Sequence, residues 1–408
     1  MSRRVPLVLG ILWLCASAPC PAEENQAAAY RDAMALLKPP TGDALTKALG
    51  EAASKGWPQD AHDLEALLAD NGPALARFDA IPEEGRCHFT EGVWMTFGTD
   101  LSHLKQGRLL TRLVLLRSRR DAALKKYADA AKGCVKILWL AQGMANDRVL
   151  ISRLFETAMS RMACRCLRDL IHAGGLDDAA LGSLGETLTK TREKRRSAAD
   201  AFEVEETMVL EATESLFLGD LSKMPPGEIA PEMEPIVKEL MATGMDVRRK
   251  WRDELRSLIS SHLAALRQAA EPGHLADLPA LEKQESEWKA GGETAPERWR
   301  AMMMTVETPA VWSLTSMDAE LSGLSLMTAL QRFHQEKKSF PASLDDLVPN
   351  YLMAVPDDPY DGKPFRYAVR GDRCAFWAIG KDLTDDGGKP VPDEQDEVPG
   401  MDEAWELP

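Results

Sequence analysis
From Glu24 to about Glu307 the apolar residues return every three or four positions. Ile151, Leu154, Phe155, Ala158, Met162, Cys166 and Leu170 mark one long amphipathic helix, and Val247, Trp251, Leu255, Leu258, His262 and Leu266 mark another. The same spacing predicts helices over 25–38, 60–70, 100–119, 121–143, 177–193 and 197–218, with Gly, Pro and Asn in the gaps. Alternating apolar and polar runs, the mark of half-buried strands, are nearly absent here. Helices joined by short loops predict an antiparallel bundle or an irregular α-solenoid, interrupted at Gly219–Pro235 and Glu271–Pro296.

The pattern changes near Val311. Leu314, Met317, Leu321, Leu324, Met327, Leu330 and Phe333 line one face of a last long helix that should end near Lys338, before Pro341. Ser343 suits the N-cap of a short helix carrying Leu344, Leu347 and Val348. Residues 355–367 (VPDDPYDGKPFRY) are turn chemistry, with Asp361-Gly362 able to supply positive φ. Arg366–Val369 and Cys374–Ile379 read as antiparallel strands joined through Gly371-Asp372. The chain is therefore expected to be mainly α, with a small C-terminal α+β module whose sheet lies on its helix. The expected organisation is a signal peptide over 1–22, a helical scaffold over 23–312 and the module over 313–408.

Composition sharpens the destination more than the activity. The 408 residues carry 49 Lys+Arg against 64 Asp+Glu, a formal charge of −15, which argues against nucleic-acid backbone binding. Arg3 and Arg4 precede an uncharged, mostly apolar run, Val5–Ala18, and small residues leading to Ala22. This is the order of a secretory signal, and the run falls short of the ~20 residues a spanning helix needs. The expectation is a periplasmic or extracellular protein without a membrane span after cleavage, with an uncleaved anchor or a lipidated Cys15 or Cys20 as alternatives. The charge is concentrated: residues 382–408 hold ten acidic side chains against Lys389 alone.

Candidate chemistry in the helical part is sparse. There is no G-x-S-x-G, phosphate loop, G-x-G-x-x-G, C-x-x-C or H-E-x-x-H. Cys87, His88 and His103 are the only modest clustering of histidine and cysteine, without a recognised ligand spacing. Beyond the signal, Cys87, Cys134, Cys164, Cys166 and Cys374 make an odd count, so at least one thiol stays free or bridges two chains. Cys164 and Cys166 lie about 200° apart around a helix and should not face each other. Lys190, Arg192, Lys194, Arg195 and Arg196 form a basic cluster that reads as a solvated helix end or a docking point for an acidic partner.

The C-terminal residues carry a resemblance. The order ALQRFHQEKKSFPASLDDLVPNYL, DPYDGKPFRY, FWAIGKD and then an acidic Gly-rich stretch, over roughly 313–405, resembles the C-terminal domain of the major pseudopilin of type II secretion. Phe340-Pro341, Asp357–Pro364 and Ala378–Asp382 occupy the places of that family's motifs. The chain differs in lacking the family's N-terminal peptidase site and long polymerising helix, so the resemblance implies a grafted module rather than a filament subunit. The whole layout also resembles uncharacterised exported bacterial proteins. The resemblance implies a Ca²⁺ loop, and points to Asp382, Asp385, Asp386, Asp393 and Asp396 as its ligands. Calcium takes 6–8 oxygens at ~2.3–2.6 Å and suits such a flexible loop, although the order of an EF-hand is absent.

Two readings follow. One is a non-enzymatic envelope protein, a helical scaffold with a Ca²⁺-stabilised pseudopilin-like module that contacts envelope or secretion-machinery proteins. The alternative is an exported hydrolase, with a cleft in the helical part lined by convergent carboxylates and Trp.

Overall fold
The computed structural model describes residues 24–96, 98–195, 197, 199–223, 230–271, 273–304, 307–389 and 402–408. The predicted signal and cleavage point lie outside these residues. The apolar spacing delivers the helices where the side chains can meet. α1 (Ala27–Ala35), α2 (Asp43–Lys55), α3 (His62–Asp70) and α4 (Gly72–Asp79) are short. The long ones follow: α5 (Ser102–Ala123), α6 (Tyr127–Ala145), α7 (Leu150–His172), α8 (Asp178–Lys194) and α9 (Ala199–Leu218). After these come α10 (Glu234–Ala242), α11 (Met245–Ala269), α12 (Leu278–Lys289), α13 (Ala295–Met303) and α14 (Glu307–Lys337). The molecule is mainly helical, as the periodicity predicts.

The differences are at short helices flanked by breakers. Glu271–Pro296, read as an interruption, contains α12, because Pro279 sits in its first turn, where a missing N–H costs nothing. α10 begins in the same way at Pro235, and α4 at Pro73. The break between α5 and α6 falls later than expected, at Lys125, which adopts a left-handed φ of 62°.

Sequential long helices pack side by side, α5 on α6 and α6 on α7, while α9 lies along α11. Buried cations from the long helices terminate their neighbours. A helix's last carbonyls have no intrahelical partner and concentrate negative potential. Lys136 Nζ takes up those of α4, donating to Phe78, Asp79 and Ile81 carbonyls at 3.3, 2.6 and 2.7 Å. Arg119 donates to Ala53 and Ser54 carbonyls at the end of α2, and Arg248 to Leu216 and Gly219 carbonyls at the end of α9. The opposite end of a helix is treated with the opposite sign: both Glu285 oxygens accept from Thr308 N–H at 3.2 Å where α14 begins, and His262 lies 3.0 Å from the same carboxylate.

α14 spans residues 312 and 313, where the scaffold and module were expected to meet. It packs against α7 and α8 on one side and the sheet on the other, so its burial extends well beyond the single face read from sequence, to Ser322, Gly323, Leu326 and Ala329. Glu320, which interrupts the apolar pattern, is answered by Arg168 of α7 at 3.0 Å. A short 3₁₀ turn, Leu344–Leu347, follows Ser343, whose N–H donates to Asp346 at 3.0 Å. β1 (Arg366–Arg370) and β2 (Arg373–Ala378) pair as the expected hairpin, and Gly371 takes the positive φ of its turn. β3 (Glu403–Leu407) completes the antiparallel order β1-β2-β3 and lies within the stretch read as an acidic tail. Phe376, Trp405 and Leu407 are buried toward α14, and Gly323 makes room for the indole: a Cβ there would stand 2.6 Å from Trp405 Cε2.

Candidate functional site
The sheet's outer face carries the region to which the sequence assigned chemistry. Its organiser is Asp358, fully buried in the turn before β1. Its carboxylate accepts from Tyr360 N–H at 2.8 Å and Ile379 N–H at 2.9 Å, so one side chain ties the turn to the end of β2. Arg366 of β1 then reaches three acids, donating to Asp358 and to Asp361 (2.5 Å) and lying 3.7 Å from Asp385. Crowded carboxylates repel one another, and here a guanidinium supplies the neutralising charge.

The acidic loop after β2 is strapped across this face. Asp385 accepts from the Trp377 indole N–H at 2.9 Å and from Gly387 N–H at 3.0 Å, and the first of these bonds holds its carboxyl below the usual range. Gly388 lies on the same indole, where a Cβ would come within 2.6 Å of the ring, and its φ of 71° independently favours glycine. Asp402, immediately before β3, receives Asp386 N–H at 3.2 Å and Gly388 N–H at 2.7 Å, one on each oxygen. It is fully buried, and desolvation raises its pKa. Asp382 accepts from Thr384 N–H at 3.0 Å in an exposed turn.

Of the five predicted ligands, Asp385 and Asp386 lie in the stretch tied to Asp402, Asp386 through its backbone N–H and not its carboxylate. Asp382 stands at the loop's other end, and Asp393 and Asp396 lie outside the described residues. Among the described residues, no group of three or more His, Cys, Asp or Glu side chains is placed to hold a metal ion. The donor chemistry on offer is oxygen only, which is the type calcium takes. Asp402 has both oxygens committed to backbone N–H groups, so its work in this arrangement is to clasp the loop.

Sequence reasoning passed over Asp358, Arg366, Asp402 and Glu403. Glu403 is half-buried at the start of β3 and accepts from Tyr360 O–H at 2.5 Å. Burial pushes its carboxyl up to about 7. The alternation of Trp405 and Leu407 with Ala404 and Glu406 was the available sign that this tail contains a strand.

The other sequence candidates resolve into structural roles. His103 Nε2 lies 2.7 Å from Asp147, whose other oxygen accepts from Thr90 N–H and O–H, and the imidazole stacks on Phe89. Cys87 is buried, and desolvation followed by the nearby Asp147 pushes its thiol up to about 12, which suppresses the thiolate a nucleophile needs. His88 holds the Asn25 side chain through its backbone. In the basic cluster, Lys190 and Lys194 pair with Glu84, while Arg195 is buried against Glu156 and Asp318. Arg196 lies outside the described residues.

Two clefts bear on catalysis. One of about 230 Å³ includes Gln26, Glu83, Arg86, Trp139 and Lys194 in its lining, with Glu83 its single carboxylate. The other, about 370 Å³, lies by Met241, Met245 and Arg248, with Asp220 its single carboxylate. Neither offers the convergent acid pair of a glycoside hydrolase. No helix among the described residues is long and apolar enough to cross a membrane. Comparison with protein-family models, with curated proteins and with solved structures finds no match to this chain.

Proposed function
We propose that this chain is an exported, non-enzymatic envelope protein in which a helical scaffold presents a calcium-stabilised, pseudopilin-like module to other envelope proteins, including type II secretion or pilus-like machinery. The observation that carries the reading is the acidic stretch 382–389 after β2, strapped across the sheet through Asp385 and tied to Asp402, behind a long helix, a short 3₁₀ turn and an Asp-Pro-aromatic turn. That order of parts is what the sequence resemblance leads one to expect. In this reading Ca²⁺ supplements Arg366 and draws together the carboxylates of Asp382, Asp385 and Asp386, while the other proposed ligands, Asp393 and Asp396, lie outside the described residues.

The embedding of α14 shapes the role. A helix covered by α7, α8 and the sheet has no free face with which to polymerise, so the module acts as a fixed head on the scaffold. Its solvent side offers Met353, 83% exposed, and Val369 at the sheet edge. A photocrosslinking residue at position 353 or 369, introduced in the native bacterium, is expected to capture a reproducible set of envelope proteins. Fractionation that leaves the full chain in the cytoplasm, or crosslinking that recovers no envelope protein at either position, overturns the reading.

A further inference from the structure
A β-sheet that does not close on itself has two edges, and this one treats them differently. Gly371-Asp372 closes the β1–β2 hairpin, so Arg370 and Arg373 are the hydrogen-bonded pair beside the turn. The alternation then bonds Ala368 and Arg366 to β2 as well, and turns the N–H and C=O groups of Tyr367 and Val369 away from the sheet. On β3 the same alternation turns Ala404 and Glu406 outward. That edge is covered: the Glu406 carbonyl accepts from His172 Nε2 at 2.8 Å, at the end of α7. Among the described residues, no hydrogen bond reaches the backbone of Tyr367 or Val369 on the β1 edge.

The side chains along the β1 edge are unfinished too. Val369 shares its row and its α14-facing side with Cys374 and Leu407, yet those two are buried and Val369 is 44% exposed. On the outer face Arg370 and Arg373 stand directly opposite each other, a like-charge pair. Arg370 reaches the Gly387 carbonyl at 3.3 Å and comes within 3.8 Å of Glu406. Arg373 is exposed, with no ion pair among the described residues.

We propose that the outer edge of β1 is a docking site for an extended, acidic segment of another protein, which joins the sheet as a fourth strand. The proposal rests on the reading of the module as a head that contacts other proteins, and names the kind of partner. The outward N–H and C=O groups of Tyr367 and Val369 are its main-chain anchors. The partner's residue beside Val369 is apolar and extends the inner row, and a carboxylate beside Arg370 on the outer face relieves the two arginines. A second copy of this chain lacks that carboxylate: two β1 edges paired antiparallel about Ala368 set Arg366 opposite Arg370 on both sides.

The purified full chain is panned against a phage-displayed library of random peptides, and the enriched sequences are remade and titrated by fluorescence anisotropy. The expected peptides alternate apolar with polar residues and carry acids at the polar positions. Val369→Pro removes an outward N–H and leaves the β1–β2 ladder intact, a change that edge strands tolerate. It should weaken binding about tenfold, the worth of one hydrogen bond, with little change in melting temperature. Should the proline variant not fold, Val369→Lys keeps the N–H, charges the apolar row and should weaken binding to a similar extent. Arg370→Glu should weaken the acidic peptides about fivefold. No enrichment, enriched peptides without alternation, or undiminished binding in the Val369 variants overturns the proposal. A dimer in sedimentation that Val369→Pro dissolves gives the edge to a second copy and also overturns it. Strand-like peptides selected by a chain that fractionates to the cytoplasm count against the envelope reading and leave the edge standing. An envelope chain that crosslinks to its neighbours yet selects no such peptide does the reverse.

Discussion

The helical body and the C-terminal module both bury charge, but they neutralise it by different means. In the body, charges meet formal partners or helix ends: Arg195 sits between Glu156 and Asp318, His103 meets Asp147, and Lys136, Arg119 and Arg248 close the ends of α4, α2 and α9. In the module, carboxylates outnumber cations, and Asp358, Asp385 and Asp402 are held mainly by N–H groups of turns and an indole. The body's ion pairs are finished by packing alone. The module concentrates negative charge on a loop held by two arginines, Arg366 near Asp385 and Arg370 donating to the Gly387 carbonyl, and is the part where the proposed Ca²⁺ would act.

The largest effect should come from breaking the body's pattern. Arg195→Met removes the closer of the two buried guanidiniums at Glu156, leaving Arg153 at 3.7 Å, and should cost up to about 3–5 kcal/mol in chemical denaturation. A loss below about 1 kcal/mol would mean that the network is solvated. Next is the seam between the regions. Gly323→Ala drives a methyl into the Trp405 indole and should cost about 1–3 kcal/mol, with the loss reported by Trp fluorescence as well as by helical CD. Asp402→Asn keeps one acceptor oxygen of two and should cost about 1–2 kcal/mol while raising hydrogen exchange at Asp386 and Gly388.

The smallest of these effects is a dependence on pH with a defined sign. Glu403 has a folded pKa of about 7, above its ordinary 4.5. The folded state therefore binds its proton more tightly, so this contribution is fully present below 4.5 and is lost as pH rises through 7. Asp358 and Asp402, both raised by burial, act in the same direction. Asp385, held low chiefly by the Trp377 indole, works oppositely, and its contribution fails only as pH falls below that range. Melting temperature should fall by a few degrees or less between pH 5 and pH 8, and Glu403→Gln should flatten that slope. An equal slope in the variant would place the titration elsewhere.

The same contrast explains what could be read from sequence. Periodicity located α7 and α11 because apolar spacing is a local property repeated over many turns, but it misplaced the buried face of α7's first half, where Ile151 and Ala158 are exposed and Ser152, Arg153, Glu156 and Thr157 are buried. Ser343 and Gly371-Asp372 were legible for the same reason, since a cap and a turn are decided by neighbours in the chain. β3 was hidden because ten acids dominate residues 382–408, and five alternating residues are a weak signal beside them. The clasp by Asp402 depends on N–H groups fourteen and sixteen residues earlier, and the capping by Lys136 on a helix that ends more than fifty residues away. Local pattern cannot announce such partners. Asp382, Asp385 and Asp386 could be named as acidic candidates, but not that Arg366 and Trp377 would already be holding one of them.

The central claim is that the strapped loop completes a calcium site. Its most direct test is the melting temperature of the full chain at pH 7 in chelator and in 5–10 mM Ca²⁺, concentrations above the roughly 10⁻⁴–10⁻³ M range of extracellular modules. Binding to the folded state alone raises stability by about 1–2 kcal/mol at tenfold excess over the dissociation constant. The account predicts a reproducible upward shift with Ca²⁺ that Mg²⁺ does not match and that Asp386→Ala removes. A melting temperature indifferent to Ca²⁺ and chelator, or an equal shift in Asp386→Ala, would contradict it.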